Sequence, residues 1–416
     1  MNLFTRLLAS VAGGFTRPAS TEARLWTEAV GLDTRSGVHV TARKVLQLDA
    51  VQGCLENIGG PISSLPWGVF ERKRPAGGAA GEGGDAREPK PDHPLGRLLN
   101  QRPNARQTSQ EFWDEQMRHL AFYRNCYAVI VPGADGAPIG ALEPYHPNRL
   151  VKIERAPDGA IYYTFSGLGT GAQERYRSDE VLHIRRAPLT EDGLRGEPVY
   201  ETSPEVFGRA IAVRDFGGDY FRNGGSGGGI LEHPGSFKTK EDREAFIEAW
   251  RAMATGPNRH KDRLLTHGTK YNRLEVKNNE AQFIETEKLS DLRIARLWNM
   301  PPHRIGVLDR ATLSNIEQQS LDFVMYTLAP YICAAEEAVE RDLLVGDDEQ
   351  SRLFVEINVA GLLRGDLKGR FEAYKMGREG GWLSVNDIRR LENMNPIDGG
   401  DRYLEPLNMR NPGDPT

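Results

Sequence analysis

The sequence predicts an α+β chain with more than one domain, and three observations carry that reading. Several stretches place apolar residues at helical spacing, as Leu289, Leu292, Ile294, Ala295 and Leu297 do. Strand-like runs cluster in the middle of the chain: YAVIV at 127–131, RLVKIE at 149–154, IYYTF at 161–165 and EVLHIR at 180–185. With 416 residues, 39% of them hydrophobic and 27% charged, the chain can bury a substantial core and should divide.

In chain order, the opening MNLFTRLLASVAGGF has an apolar run far short of the roughly 20 residues that span a membrane, so residues 1–39 read as a flexible arm rather than a secretion signal. Val51 to Ile62 carries Cys54, Leu55 and Ile58 at helical spacing and is expected to end near Gly59-Gly60 and Pro61. WGVF at 67–70 reads as a strand, and the glycines, prolines and charges at 71–92 as an exposed disordered loop. HPLGRLLNQRPN gives a short helix and a turn. Thr108 or Ser109 then starts a helix offering Phe112, Met117, Leu120 and Ala121 to a core.

The strand cluster follows, with turns at GADG and Asp158-Gly159. After Ser203-Pro204 the pattern turns helical to about Asn223, because proline suits the first helical position, where a donor would go unused. GGSGGG at 224–229 lacks the Lys-Ser/Thr of a phosphate loop and reads as a hinge. A small module spans about 229–282: GILEH, a helix from Lys240 to Met253, and the strand candidates DRLLTHG and YNRLEV. It lies between two helices of similar length, 204–223 and 284–299, which permits them to pair as a stem with the module projecting from one end.

Pro301-Pro302 stops the second of these helices, since neither residue has a backbone donor. Ser314 and Glu317 can cap a helix reaching Leu344, about 46 Å long at 1.5 Å per residue, which Pro330 should bend. Such a helix makes a wall, lever or subunit contact rather than a catalytic pocket. Beyond it, Leu362, Leu363, Phe371, Tyr374 and Met376 supply apolar surface, Ser384 with Asp387 starts a helix, and Ile388 and Leu391 are expected to face inward.

A formal net charge of −5 argues against an ordinary basic nucleic-acid-binding domain, though not against a ring that surrounds DNA without gripping it. Cys54, Cys126 and Cys333 form no zinc or redox motif and read as buried thiols. His146 and His183 have no ligand partner at a recognised spacing and read as structural. The arginines near GDLKGR suit nucleic acid, subunit pairing or solvent alike. No catalytic acid–base pair, metal cluster or cofactor motif stands out.

Taken in order, HPLGRLLNQRPN, FYRNCYAVI, EVLHIR, DYFRNGGSGGGILEHPG, MPPHRIGVLDRATLSNIEQQSLDFVMYTLAP and the block from NVAGLLRGDL to DRYLEP resemble the HK97-like portal proteins of tailed bacteriophages and related gene-transfer agents, over roughly residues 40–409. One departure is RNCY at 124–127, where members commonly have GNAY.

The resemblance implies a portal-protein fold: wing, helical stem, clip, tunnel loop, long bent helix and helical crown. On this chain the wing would be 40–200, the first stem helix 201–223, the clip 224–283 and the second stem helix 284–299. The tunnel loop would be 300–313, the long helix 314–344, the remaining wing and crown 345–409, and the flexible tail 410–416. It implies a homo-oligomeric ring, commonly a dodecamer, at one capsid vertex, through which double-stranded DNA passes without sequence specificity. Partners would be the major capsid or scaffold protein, the terminase large subunit and a head-completion or neck protein, with no membrane and no cofactor. The expected DNA-proximal loop residues are Val307, Leu308, Asp309, Arg310, Ala311 and Thr312, and the expected acidic channel lining is Glu317, Asp322, Glu336, Glu337, Glu340 and Asp342. A capsid adaptor without a channel, or a nucleic-acid enzyme, are the alternatives.

Overall fold

Helical and strand-like segments separate in the computed structural model, which describes residues 31–73, 86–133, 138–167, 172–222, 229–235, 237, 239–254, 268–273, 280–307, 321–362, 367–392 and 394–404. The chain divides into two units, Met1–Glu356 and Ile357–Thr416. Among the described residues no helix is long and apolar enough to cross a membrane.

The first unit is built on a helix pair. After the short α1 (Ala42–Val45), capped by Thr41, come α2 (Asp49–Ser63), β1 (Trp67–Lys73), β2 (Ala86–Pro89), α3 (Pro94–Asn100) and α4 (Ser109–Tyr123). Thr108 and Glu111 form a reciprocal capping box that fixes the start of α4. α2 buries Val51, Cys54, Leu55, Ile58 and Ile62, and α4 buries Phe112, Trp113, Met117, Leu120 and Ala121; the two faces pack together.

α2 runs through Gly59, Gly60 and Pro61 to Ser63, just past the expected end at Ile62. A Cβ on Gly59 would lie 2.5 Å from Asp114 Oδ1, so that glycine serves close helix approach rather than termination. Arg118 stitches the pair from α4, reaching Glu56 at 2.6 Å and Asp114 at 2.7 Å.

The expected disordered loop at 71–92 has strands at its two ends, and residues 74–85 lie outside the described residues. β1 and β2 take both of its ends into an antiparallel pair, and β11 (Leu353–Ile357) completes the sheet in the order β11-β1-β2. Phe70 stacks on Phe354 at 5.4 Å, Arg72 and Arg87 lie over those rings, and Arg87 pairs with Glu356. The polar segment at 86–89 is a strand because β1 pairs with it, and its Arg87 reaches Glu356 of β11, a contact no local pattern reports.

The middle of the chain gives β3 (Asn125–Val131), β4 (Ala141–Tyr145), β5 (Leu150–Arg155), β6 (Ile161–Ser166), β7 (Gln173–Arg177) and β8 (Val181–Arg185). They form two antiparallel sheets, β4-β3-β8 and β5-β6-β7, which share a core of Tyr127, Val129, Tyr145, Leu150, Tyr163, Phe165 and Val181. β7, with the sequence QERYR, carries too little apolar residue to have been predicted.

Arg124, between α4 and β3, adopts φ 55 in the left-handed region. This is where the portal resemblance has glycine, and the positive φ is the reason. Here the arginine answers the strain with contacts: its Nη1 donates to Glu197 O at 3.1 Å and to Thr202 Oγ1 at 3.4 Å.

Both histidines singled out from the sequence sit in packed surroundings. His183 is buried, its Nδ1 3.0 Å from Tyr163 Oη and its Nε2 3.1 Å from Asn125 Oδ1. Because Asn125 Oδ1 also accepts from Gly196 N–H, it is the acceptor here, so His183 carries its proton on Nε2 and accepts from tyrosine at Nδ1. Burial holds this imidazole neutral, well below the ordinary histidine range.

His146 packs on His119, whose enclosed Nδ1 makes no hydrogen bond. Burial and His146 push His119 down from 6.5 to about 3. The unfolded chain therefore binds the extra proton first, and stability is lost as pH falls from 6.5 towards 3. His119→Phe should shift the acid-unfolding midpoint, followed by circular dichroism, to lower pH with roughly 2 kcal/mol of relative stabilisation near pH 4; an unchanged midpoint would contradict this.

Cys54 and Cys126 are buried as expected, and burial pushes the Cys54 thiol up to about 12. Cys333 is exposed rather than buried, a correction.

In the second unit, α11 (Leu367–Glu379) and α12 (Val385–Leu391) are joined by a turn ending in a Ser384–Asp387 capping box. Asn386 is buried and bonds both backbone groups of Ile397, at 2.9 and 3.0 Å. Polar residues thus take the inward positions of α12, and Leu391, expected inside, is 53% exposed.

Candidate functional site: the stem and the start of the long helix

Between β8 and the stem lies α5 (Val199–Thr202). The two helices expected to pair as a stem are α6 (Pro204–Arg222) and α8 (Glu280–Leu297), and they do pack side by side. α8 begins at Glu280, before the predicted 284. Phe216 meets Phe283 at 6.1 Å near one end and Phe207 meets Trp298 at 6.2 Å near the other. Gly217 allows the approach, since a Cβ there would come 2.7 Å from the Phe283 ring.

Between them sit β9 (Gly229–Glu232), α7 (Lys240–Ala254) and β10 (Lys270–Arg273), with β9 and β10 paired antiparallel. Trp250 of α7 lies 5.1 Å from Tyr271, covering one face of that pair. Most of the strand candidate DRLLTHG, and the hinge at 224–228, lie outside the described residues.

α8 ends against the helix pair of the first unit. Trp298 is buried and its Nε1 donates to Ala121 O at 2.9 Å. Asn299 follows with φ 52, and Pro301 leads into a 3-10 turn, Pro302–Ile305, ended by Gly306 at φ 84. Asn57 of α2 holds that turn, its Nδ2 donating to Arg304 O at 3.0 Å. Val307 closes the described part, half-buried. Leu308, Asp309, Arg310, Ala311, Thr312 and Glu317 lie outside the described residues, as does the Ser314 cap.

The described part of the long helix begins at Leu321 and is not a uniform α-helix. Phe323–Leu328 forms a π turn, and α9 (Ala329–Leu343) begins after it with Pro330 in its first turn. Arg304 lies over the Phe323 ring at 4.6 Å, and Arg186 over the buried Tyr331 at 3.8 Å.

The described acids divide by position. Asp322 and Glu336 are half-buried, and Glu337 is exposed. Glu340 accepts from Val355 N–H at 2.9 Å, which ties α9 to β11. Asp342 is nearly buried; it pairs with Arg341 at 2.6 Å and accepts from His183 N–H at 3.2 Å, while Arg341 Nη2 donates to His183 O at 2.8 Å. Together Arg341 and Asp342 occupy the donor and acceptor of β8's free edge, as a neighbouring strand would. The carboxylates of Glu340 and Asp342 are thus engaged within the protomer, which leaves Glu337 the most open of the described acids. This edge role was not legible in the sequence.

Helices paired as a stem, a strand–helix–strand module between them and a long helix returning to the sheets define the architecture of a portal protein. A subunit of the neck of a native gene-transfer-agent particle with C12 symmetry superposes with a TM-score of 0.58 at 17% identity, covering 94% of this chain and 99% of that one. The portal protein of Enterobacteria phage HK97 is 29% identical over 398 residues, 95% of this chain and 88% of that protein. The probable portal protein of Streptomyces phage phiC31 is 27% identical over 413 residues, 94% and 86% of the two chains. The Phage portal protein family profile matches residues 49–393, and the chain belongs to that family.

Proposed function

We propose that this protein forms a twelve-membered ring at a single capsid vertex, through which double-stranded DNA enters during packaging and leaves on ejection. The observation that carries this reading is the likeness, over 94% of the chain, to a subunit of a C12-symmetric particle neck. The paired helices α6 and α8 support it, since a stem of this kind repeated around an axis makes a tube wall.

Residues 40–200 would then be the wing, 224–283 the clip, 300–313 the tunnel loop and 345–409 the rest of the wing and the crown. Assembly occurs in the bacterial cytoplasm, on capsid or scaffold protein. The clip engages first the terminase large subunit and later the head-completion or neck protein. The protein is a structural conduit, with ATP hydrolysis supplied by the terminase.

DNA must slide, so its phosphates should meet repulsion or weak contacts rather than a basic trap, because each neutralised phosphate adds affinity and salt dependence. The net charge of −5 suits that requirement, and so do acids repeated around a ring, among which exposed Glu337 is the leading described candidate. In the tunnel loop, Leu308 acts as an apolar constriction and Arg310 as a transient phosphate contact. Arg310→Ala should lower DNA packaged per head by about twofold or more at low salt and by less at high salt, as expected when an exposed charge contact is screened. Packaging and retention unchanged at every salt concentration would remove Arg310 from the mechanism.

A further inference from the structure

We propose that Asn299 replaces the backbone donor that Pro330 lacks, and that this pairing sets the rotation of the long helix where it meets the stem. In a regular α-helix the N–H of residue 330 would bond the carbonyl of Tyr326, four residues back. Proline has no N–H, and its ring presses on that same carbonyl.

The chain answers with the π turn, in which Ala329 N–H reaches Val324 O, five residues back. The Tyr326 carbonyl then takes its bond from outside the helix: Asn299 Nδ2 donates to it at 3.2 Å. A return bond closes the latch, Thr327 Oγ1 donating to Asn299 O at 2.6 Å. Asn299 can offer both groups because it sits at φ 52, a conformation asparagine tolerates better than most residues, and because buried Trp298 fixes the preceding position.

The consequence is rotational. Each α-helical residue turns the chain by about 100°, so the extra residue housed in the π turn rotates Leu321 and Asp322 by about that much relative to α9. Leu321, Met325 and Tyr326 are 46%, 59% and 60% exposed in this setting. Asn299 is therefore a positioning residue for the face that the long helix presents as it leaves the stem, whatever passes the protein's axis.

A double-mutant cycle on the full-length protein tests this. Asn299→Gly keeps the positive φ and removes the amide, while Pro330→Ala restores the missing N–H. Hydrogen exchange of the 321–330 segment should accelerate by about tenfold on Asn299→Gly alone, and by less than about twofold when Pro330→Ala is also present, because coupled partners are not additive. Asn299→Asp, the isostere without donors, should behave like Asn299→Gly.

In a Leu321→Cys, Cys333→Ser background, thiol labelling should slow several-fold in the Asn299→Gly, Pro330→Ala chain as residue 321 rotates away from solvent. Equal acceleration of exchange with and without Pro330→Ala, no acceleration in either background, or labelling unchanged by the double substitution would each overturn the proposal. None of these readouts involves DNA, so they stand or fall independently of the conduit reading.

Discussion

Asn125→Leu is expected to destabilise the first unit by roughly 3–5 kcal/mol, enough to remove most soluble protein, because it breaks a buried polar network in which no group has spare capacity. The Asn125 side chain donates to Tyr123 O and Gly196 O, both at 2.7 Å, and accepts from Gly196 N–H at 2.7 Å and His183 Nε2 at 3.1 Å. Leucine matches its volume approximately but leaves a histidine N–H and a backbone N–H buried and unpaired. Gly196 cannot move to compensate, since even a Cβ on it would collide with the carbonyls of Arg124 and Arg186. Thermal unfolding followed by near-ultraviolet circular dichroism should show the loss, whereas Asn148→Ala, at an exposed turn, should leave the transition within about 0.5 kcal/mol of the parent. A wild-type transition in Asn125→Leu would mean that the network is not what joins β3, β8 and the Gly196 loop.

Trp298→Ala should cost about 3–5 kcal/mol, the usual range for removing a large buried aromatic side chain. Its location makes the effect more than a loss of stability. Trp298 follows α8, packs on Phe207 of α6 and bonds Ala121 of α4, so one side chain joins both stem helices to the helix pair of the first unit. Without it the stem should loosen before the sheets do. Limited proteolysis should then cut faster between 280 and 300 than in the parent, and the variant should fail to assemble while retaining the far-ultraviolet spectrum of the sheets. Trp298→Phe keeps part of the packing and leaves the Ala121 carbonyl without its donor, so it should fall between the two. Uniform loss of all signals together would contradict a local role for Trp298.

What could be read in advance follows from where the information lies along the chain. Elements specified by local pattern were legible: the α4 start at Thr108 or Ser109, the helices beginning at Pro204 and Lys240, and the strands at 127–131 and 161–165. The pairing of the stem helices was permitted by their similar lengths and is made by Phe216, Phe283 and Gly217.

Features that depend on distant partners were not legible. β11 joins β1 from the far end of the first unit, Gly59 lets two helices approach closely, and α12 turns polar Asn386 inward because Ile397 and Gly400 lie beside it. Pro330 was read as a bend in the long helix; the π turn that precedes it, held from Asn299, required the fold. Likewise Glu340 and Asp342 looked from sequence like repeated charges and are bound to Val355 and His183.

Electron microscopy of the purified native assembly, with its rotational symmetry counted and its central opening measured, tests the ring conduit most directly. The account predicts a closed twelvefold ring with an opening wide enough for duplex DNA, roughly 20 Å or more, and with the α6 and α8 pairs forming its wall. A protein that stays monomeric even with its capsid partners present, or a ring whose opening cannot admit a duplex, would contradict it.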